Sequence, residues 1–348
     1  VAWIATVGAD ASSGKLVRLA RLRGDLPPPV VAGAGASVVA TMLQPNAGGR
    51  AIKIAKVTGD AIAWGPEFSE GNDESMALDV ATSGARAAVA WDDMSEGGKH
   101  TAVMLASFDV ASLAGVTPPR AVSRAKSDAD TPRLVARPGG FWLGYVASGD
   151  ADEAPAKAKK KHAAKKPKDD DENSEEVDTD VPAGEAIQHR WVELVPLDES
   201  AGPTSAPRAV TPKDGNVLAF DLKLGAGGAA LVVYRDDDTP TGSGGGRLAA
   251  ALVKPDGAVL PRPYKEDVAG VGAPVILPGW LAVSALNGRT YLGALDEEGD
   301  LKEPLEAEPA FGNGEPLAAK DGLLLVAKPE GKAMRLFPVK CSLPGGGR

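Results

Sequence analysis

The sequence predicts an all-β fold built from one repeated two-strand unit, and three observations support this prediction. First, short apolar runs rich in β-branched residues recur along the chain, and most end in a turn containing Gly, Pro or Asp. Second, apolar residues at the three- and four-residue spacing of a helix are hard to find anywhere in the 348 residues. Third, the runs can be laid over one another in seven successive units, which is typical of a repeat architecture.

Residues 227–261 show the repeated unit most clearly, with the sequence GGAALVVYRDDDTPTGSGGGRLAAALVKPDGAVLP. The first predicted strand, 230–234, is short, apolar and flanked by glycine, which favours a buried strand over a helix. An acidic, Gly-rich turn separates it from the second strand, 248–253. Residues 255–257, Pro-Asp-Gly, then suit a chain reversal.

The same unit places every main strand in order. The first strands are predicted at residues 1–7, 37–43, 86–91, 141–147, 230–234, 280–285 and 323–327. The second strands are predicted at residues 15–23, 51–57, 101–108, 189–197, 248–253, 290–295 and 333–339. Candidate inner strands lie at 217–222, 273–277 and 316–319, and candidate outer strands at 61–64, 121–123 and 258–260.

The spacing of these units predicts how the sheets pack. Apart from one insertion, the units start about 35–55 residues apart, the period expected for propeller blades. One such sheet cannot bury both its faces, whereas sheets packed radially cover each other and leave only short edges. We therefore predict a β-propeller of seven blades of antiparallel strands, forming a single domain over residues 1–348. A β-sandwich, which also has evenly spaced short strands, is the alternative fold.

On this pattern the chain resembles the β-propeller superfamily over nearly its whole length. The sequence lacks the Gly-His…Trp-Asp repeat, the paired-glycine kelch pattern and the Ser-x-Asp-x-Gly-x-x-Trp box. It is most similar in style to the divergent propellers, rich in Ala, Gly and Pro, of bacterial cell envelopes. This resemblance implies a fold and carries no functional residues across.

Composition excludes several functional classes. With a net charge of −9, the chain lacks the overall positive charge that would attract nucleic acid or an anionic membrane. The single cysteine, Cys341, rules out a disulfide within the chain. No stretch approaches the roughly 18 consecutive apolar residues of a membrane-spanning helix. Because the chain opens in mid-strand on Val1, we expect a preceding segment, such as a signal, an anchor or an inner strand.

Residues 151–184 interrupt the fourth unit between its two strands. Seven lysines lie between Lys157 and Lys168, and eight acidic residues follow between Asp169 and Asp180. A segment of this charge density without an aliphatic core cannot offset its ordering entropy, so we predict a disordered insertion. The basic half resembles a nucleic-acid-binding tract, but the acidic half can neutralise it and no aromatic residues are interleaved.

Acidic residues follow the first strand of three successive units and are the candidate binding residues. They are Asp92, Asp93, Asp150, Asp152, Asp236, Asp237 and Asp238. Equivalent loops of a propeller lie on one face, so these carboxylates would form an acidic rim able to bind Ca²⁺ or a cationic partner. None has the spacing of a calcium loop, and solvated turn acids are the competing interpretation. No metal or other cofactor is otherwise indicated.

Three tryptophans and the ionisable residues of the candidate inner strands give two further predictions. Trp3, Trp142 and Trp280 occupy similar places in their strands, which predicts packing between blades. Asp79, Asp221 and Lys320 are the obvious ionisable residues of the candidate inner strands.

The sequence contains no linear catalytic motif, so the leading functional prediction is a non-catalytic binding scaffold. Its partner would be a protein or a polysaccharide outside the cytoplasm, in the periplasm, at the outer membrane surface or in the medium. The first alternative is a propeller hydrolase or lyase that gathers catalytic groups from several blades at the mouth of the channel. The second is a structural component of an envelope assembly. Ionisable side chains converging on the channel would favour the enzyme.

Overall fold

A computed structural model describes most of the chain. It covers residues 2–7, 13–20, 27–46, 49–71, 77–95, 100–125, 127–149, 189–239, 246–264, 271–285, 288–302, 304–307, 311, 314–320, 323–330 and 333–340. The predicted insertion, 151–184, lies outside these ranges. Regular structure within them is β-strand, apart from one turn of 3-10 helix at Ala226–Gly228.

The strands form six successive antiparallel sheets, here numbered blades 1 to 6, preceded by a hairpin. The hairpin is β1 (Ala2–Val7) and β2 (Ser13–Ala20). Blade 1 contains β3 (Val30–Ala34), β4 (Ser37–Asn46), β5 (Gly49–Thr58), β6 (Ala61–Trp64) and β7 (Phe68–Gly71), the last paired with β5. Blade 2 contains β8 (Leu78–Ser83), β9 (Arg86–Met94), β10 (Thr101–Asp109) and β11 (Gly115–Ala121).

The remaining blades repeat this order from first to last strand. Blade 3 contains β12 (Asp128–Arg137), β13 (Gly140–Gly149), β14 (His189–Leu197) and β15 (Arg208–Ala209). Blade 4 contains β16 (Val217–Leu224), β17 (Ala230–Asp237), β18 (Gly246–Val253) and β19 (Val259–Pro263). Blade 5 contains β20 (Val271–Leu277), β21 (Trp280–Ala285), β22 (Thr290–Ala294) and β23 (Glu306–Ala307). Blade 6 contains β24 (Glu315–Lys320), β25 (Leu323–Glu330) and β26 (Ala333–Lys340).

The hydrophobic core lies between the sheets, as radial packing requires. In β9, Val89 and Trp91 pack with blade 1, whereas Ala88 and Ala90, which point to the opposite face, pack with blade 3. A strand covered on both faces has no position that water favours, which explains why its sequence is an uninterrupted apolar run. Further clusters fill the gaps between blades 3 and 4, 4 and 5, and 5 and 6.

The predicted propeller is confirmed, but the predicted number of seven blades is wrong. Six sheets of three or more strands are present in the described ranges, and the first predicted unit is only the hairpin β1–β2. Val17 and Leu19 cover one face of blade 1. The opposite hairpin face is open, since Trp3 is 55% and Leu16 is 62% exposed. Exposed and buried side chains therefore alternate from Leu16 to Leu19 in β2, unlike in the central strands.

Two smaller sequence predictions also need correction. The outer strand predicted at 121–123 is instead β11, Gly115–Ala121, which contains Pro118 and Pro119. An outermost strand accepts proline because one of its edges has no ladder partner. Trp142 and Trp280 are buried between blades as predicted, but Trp3 is exposed because no described sheet covers it.

Candidate functional site

The innermost strands meet around the propeller axis in chain order. β3 contacts β8, β8 contacts β12, β12 contacts β16, β16 contacts β20, and β20 contacts β24. The predicted inner strands of the later units are confirmed as β16, β20 and β24. Side chains of different blades therefore come together at the axis, although they are far apart in the sequence.

Two aspartates on these strands join neighbouring blades by the same hydrogen bonds. Asp79 Oδ1 accepts from the N–H of Val80 at 2.9 Å, and its Oδ2 accepts from the N–H of Leu134 on β12 at 2.7 Å. Asp221 repeats this arrangement two blades further on. Its Oδ1 accepts from Leu222 at 2.9 Å, and its Oδ2 accepts from the N–H of Ile276 on β20 at 2.7 Å. Each carboxyl thus fixes the position of the next inner strand.

Asp79 also lies in the field of two cations from other blades. Burial raises the pKa of Asp79 above its ordinary value of 3.8. The hydrogen bond from Leu134 and the charges of Arg133 on β12 and Lys223 on β16 oppose this shift without cancelling it. Lys223 follows Asp221 by two residues, so both side chains point to the same face of β16. Ionisable groups from blades 2, 3 and 4 therefore converge at the axis.

A cavity of about 620 Å³ opens beside this axial cluster, at the turn ends of the inner strands of blades 4 and 5. Lys223 and Ile276, the residue whose N–H is bound by Asp221, both line it. The rest of the wall is mainly apolar and comes from Val135, Leu224, Leu231, Leu277, Pro278, Gly279, Ala294 and Leu295, with Asp296, Glu297 and Lys302 as charged members. Its size is typical of a cleft that holds a small ligand.

Contacts among the charged residues of this cavity, and with the backbone beside them, hold Asp296 in place. Lys302 forms an ion pair with Asp296. Burial acts to raise the pKa of Asp296, but the Lys302 contact and the N–H groups of Asp300 and Glu298 outweigh it, so the pKa lies below 3.8. Asp296 is therefore ionised at neutral pH. It stabilises the turn by accepting its N–H groups, and it is not suited to donate a proton to a substrate.

The arrangement at the axis is suited to acid–base chemistry. A carboxyl with a raised pKa keeps its proton to a higher pH than an ordinary aspartate, as a general acid must. Asp221 supplies a second carboxyl, and Arg133 and Lys223 are cations able to orient a polar substrate. Sequence reasoning identified Asp79 and Asp221 but missed Arg133 and Lys223. The two-residue spacing from Asp221 to Lys223 was the available signal. The side chain of Lys320 lies outside the described part of the structure.

The acidic residues predicted to form a rim do not all lie in loops. Strand β9 continues through Asp92 and Asp93, and β17 continues through Asp236 and Asp237. Asp92 Oδ1 accepts from the N–H of Ala77 at 2.9 Å, and Asp236 Oδ1 accepts from that of Asn216 at 2.7 Å. Each carboxyl therefore secures the residue that precedes the inner strand of its own blade.

The other predicted rim residues differ among themselves. Asp93 is half-buried and accepts from the N–H of Met94, buried Asp237 pairs with Arg235, and Asp238 is exposed. Asp150 and Asp152 lie outside the described residues. Within the described ranges no group of three or more His, Cys, Asp or Glu side chains is arranged to hold a metal ion.

The structure matches solved structures over most of its length, but at low sequence identity. An α-L-arabinofuranosidase from Fusarium graminearum is 10% identical with a TM-score of 0.50, and the match covers 97% of this chain and 96% of that one. An endo-arabinase from Bacteroides thetaiotaomicron is 13% identical with a TM-score of 0.43, covering 86% and 96%. An endo-arabinanase from Bacillus licheniformis is 14% identical with a TM-score of 0.37, covering 82% and 95%. Such likenesses show the fold alone.

No protein-family model matches this sequence. No curated protein matches it either. Among the described residues, no helix is both long and apolar enough to cross a membrane.

These comparisons correct the leading functional prediction. The leading prediction, a non-catalytic binding scaffold, is not supported, since the α-L-arabinofuranosidase whose fold this chain shares is an enzyme. The resemblance to the β-propeller superfamily, by contrast, is confirmed.

Proposed function

We propose that this chain is a propeller hydrolase that cleaves glycosidic bonds at the mouth of its axial channel. The observation that carries the proposal is the convergence of Asp79, Arg133 and Lys223 from three blades, next to a cavity of about 620 Å³. The α-L-arabinofuranosidase whose fold matches this chain indicates the substrate class to test first, arabinose-containing glycans.

Glycosidic bond hydrolysis commonly uses two carboxyl groups with different pKa values. In this proposal Asp79, with its raised pKa, donates a proton to the oxygen of the leaving sugar. Asp221 is the second carboxyl, acting from β16 on the attacking water or on the sugar. Lys223 lines the cavity and holds a substrate hydroxyl group. We also infer a location outside the cytoplasm, where polysaccharides are found.

The proposal is tested by measuring sugar release from arabinan, arabinoxylan, pectin and an aryl α-L-arabinofuranoside. We expect the wild-type protein to hydrolyse at least one of these, and Asp79→Asn to lower the rate by about 10²-fold or more, since general acid catalysis contributes that much. Asp109→Asn is the matched control, because Asp109 ends β10 and binds the turn that follows, away from the inner strands, and should leave the rate unchanged. The thermal melting temperature of each variant verifies folding.

Two results would contradict the proposal. One is a folded wild-type protein that releases no sugar from any of the four substrates. The other is a folded Asp79→Asn variant that retains the wild-type rate.

A further inference from the structure

A second cavity, of about 470 Å³, opens in blade 2 next to blade 3 and shares no residue with the axial cavity. It is lined by Met94, Ser95, His100, Thr101, Ala102, Met104, Ala121, Ser123, Arg124 and Ala125. Among its described lining residues, the two ionisable ones, His100 and Arg124, are both basic, although the whole chain carries a net charge of −9. This inference does not depend on the proposed function.

One carboxylate behind the cavity pairs with Arg124, and another lies beside His100. His100 Nδ1 lies 3.5 Å from Asp128 Oδ1, so Nε2, on the other side of the ring, is the nitrogen available to a ligand. Arg124 Nε lies 2.9 Å from Oε1 of Glu193, which is fully buried. Glu193 also accepts hydrogen bonds from the Tyr145 hydroxyl at 3.0 Å and from Trp191 Nε1 at 3.2 Å. Three donors therefore share the Glu193 carboxylate, which fixes the orientation of the Arg124 side chain.

Arg124 keeps hydrogen-bonding capacity for a ligand. A guanidinium has five N–H donors. Nε of Arg124 is used by Glu193, and Nη2 donates to the carbonyl oxygen of Pro207 at 2.9 Å. Among the described residues Nη1 has no hydrogen-bond acceptor, and the side chain is 45% exposed. Two further N–H groups are therefore available at the cavity.

Two serine hydroxyl groups add donors to the same wall. Ser95 Oγ accepts from the N–H of His100 at 3.3 Å, and Ser123 Oγ accepts from the N–H of Val103 at 3.0 Å. Because each oxygen already accepts a backbone N–H, its own proton remains to be donated. The described wall of the cavity therefore presents donors from Arg124, Ser95 and Ser123, and none of its described lining residues is a carboxylate.

We propose that this cavity binds an oxyanion group, a carboxylate or a phosphate, carried by a small ligand. Oxyanions are recognised by arginine, which presents parallel N–H donors, and by hydroxyl groups. The apolar side chains of Met94 and Met104 would then contact the remainder of the ligand.

Isothermal titration calorimetry at constant ionic strength tests this proposal with three probes, D-galacturonate, inorganic phosphate and D-galactose. We expect saturable binding of an oxyanion and none of D-galactose, which has the size of galacturonate without its charge. Tighter binding of galacturonate would identify a sugar carboxylate as the natural group, and tighter binding of phosphate would identify a phosphate. Binding of neither oxyanion, or equal binding of D-galactose, would overturn the proposal.

Variants locate the binding. Arg124→Gln should weaken oxyanion affinity about tenfold or more, because it removes a charge-assisted hydrogen bond. Arg86→Gln is the matched control: Arg86 lies at the other end of the same blade, with its Nη1 3.2 Å from Asp109, and its loss should leave affinity unchanged. If Arg124→Gln misfolds because Glu193 loses its partner, the double variant Arg124→Gln with Glu193→Gln removes both charges together. Wild-type affinity in the folded variant would refute the assignment.

Discussion

At the scale of single residues, aspartate serves three structural purposes in this protein. Asp79 and Asp221 bind the next inner strand, and Asp92 and Asp236 bind the residue before their own inner strand. Aspartates also close the turns that lead to the last strand of a blade, where Asp109, Asp198, Asp256 and Asp296 each accept a backbone N–H two residues further on. In these turns the carboxylate replaces a backbone acceptor, which is why Asp is favoured there. Asp79 differs because burial raises its pKa.

The raised pKa of Asp79 predicts a pH-dependent difference in stability between the wild-type protein and Asp79→Asn. Between the ordinary pKa of 3.8 and the higher native value, the native state binds more protons at this site than the unfolded state does. The free energy of unfolding of the wild type should therefore fall relative to the variant as the pH rises above 3.8. Urea unfolding of both proteins over a pH series measures this difference, and a constant difference at all pH values would contradict the prediction.

At the scale of strands and turns, the hairpin turn between β12 and β13 contains two glycines with different constraints. Gly139 has φ +74° and open space around the position of a Cβ atom. Gly140 has φ +150°, and a Cβ atom there would lie 2.1 Å from the carbonyl oxygen of Leu197. Gly139 is required only by its backbone conformation. Gly140 is required by its backbone conformation and also by the close approach of β14, which leaves no space for a Cβ atom.

These two glycines predict stability losses of unequal size. Gly139→Ala should cost about 1–2 kcal/mol, the strain of a left-handed conformation for an L-residue. Gly140→Ala forces the backbone of β14 to move and should cost on the order of 4 kcal/mol or more. Chemical denaturation of both variants gives the two free energies of unfolding. Equal losses would show that the contact with Leu197 does not limit the structure.

At the scale of the whole molecule, stability is distributed among the gaps between blades. Each of the five gaps between consecutive blades has its own apolar cluster, and the hydrogen bonds from Leu134 to Asp79 and from Ile276 to Asp221 cross two of these gaps. This organisation resembles that of repeat proteins, in which each unit is stabilised by its neighbours.

The charged segment 151–184 stands in the sequence between β13 and β14, and its removal should be tolerated. Gly149 and His189 face each other in antiparallel register, so the two strands already meet where the segment leaves the sheet. Replacing residues 151–184 with a short Gly-Ser linker should leave the melting temperature within a few degrees, because loop-closure entropy changes slowly with length. Loss of folding or of a cooperative transition in this variant would show that the segment has a structural role.

The sequence by itself determined the strand order and the locations of nearly all main strands, because apolar runs and turn residues are local properties. The predicted strands at 189–197 and 280–285 coincide with β14 and β21, for example.

The number of blades was decided by tertiary contacts: β1 and β2 have strand-like sequences, but no described sheet covers the face that carries Trp3 and Leu16. The candidate sites were decided in the same way. Asp79, Arg133 and Lys223 lie on three strands, and His100 and Arg124 reach their cavity from different loops, so only the folded sheets bring these residues together.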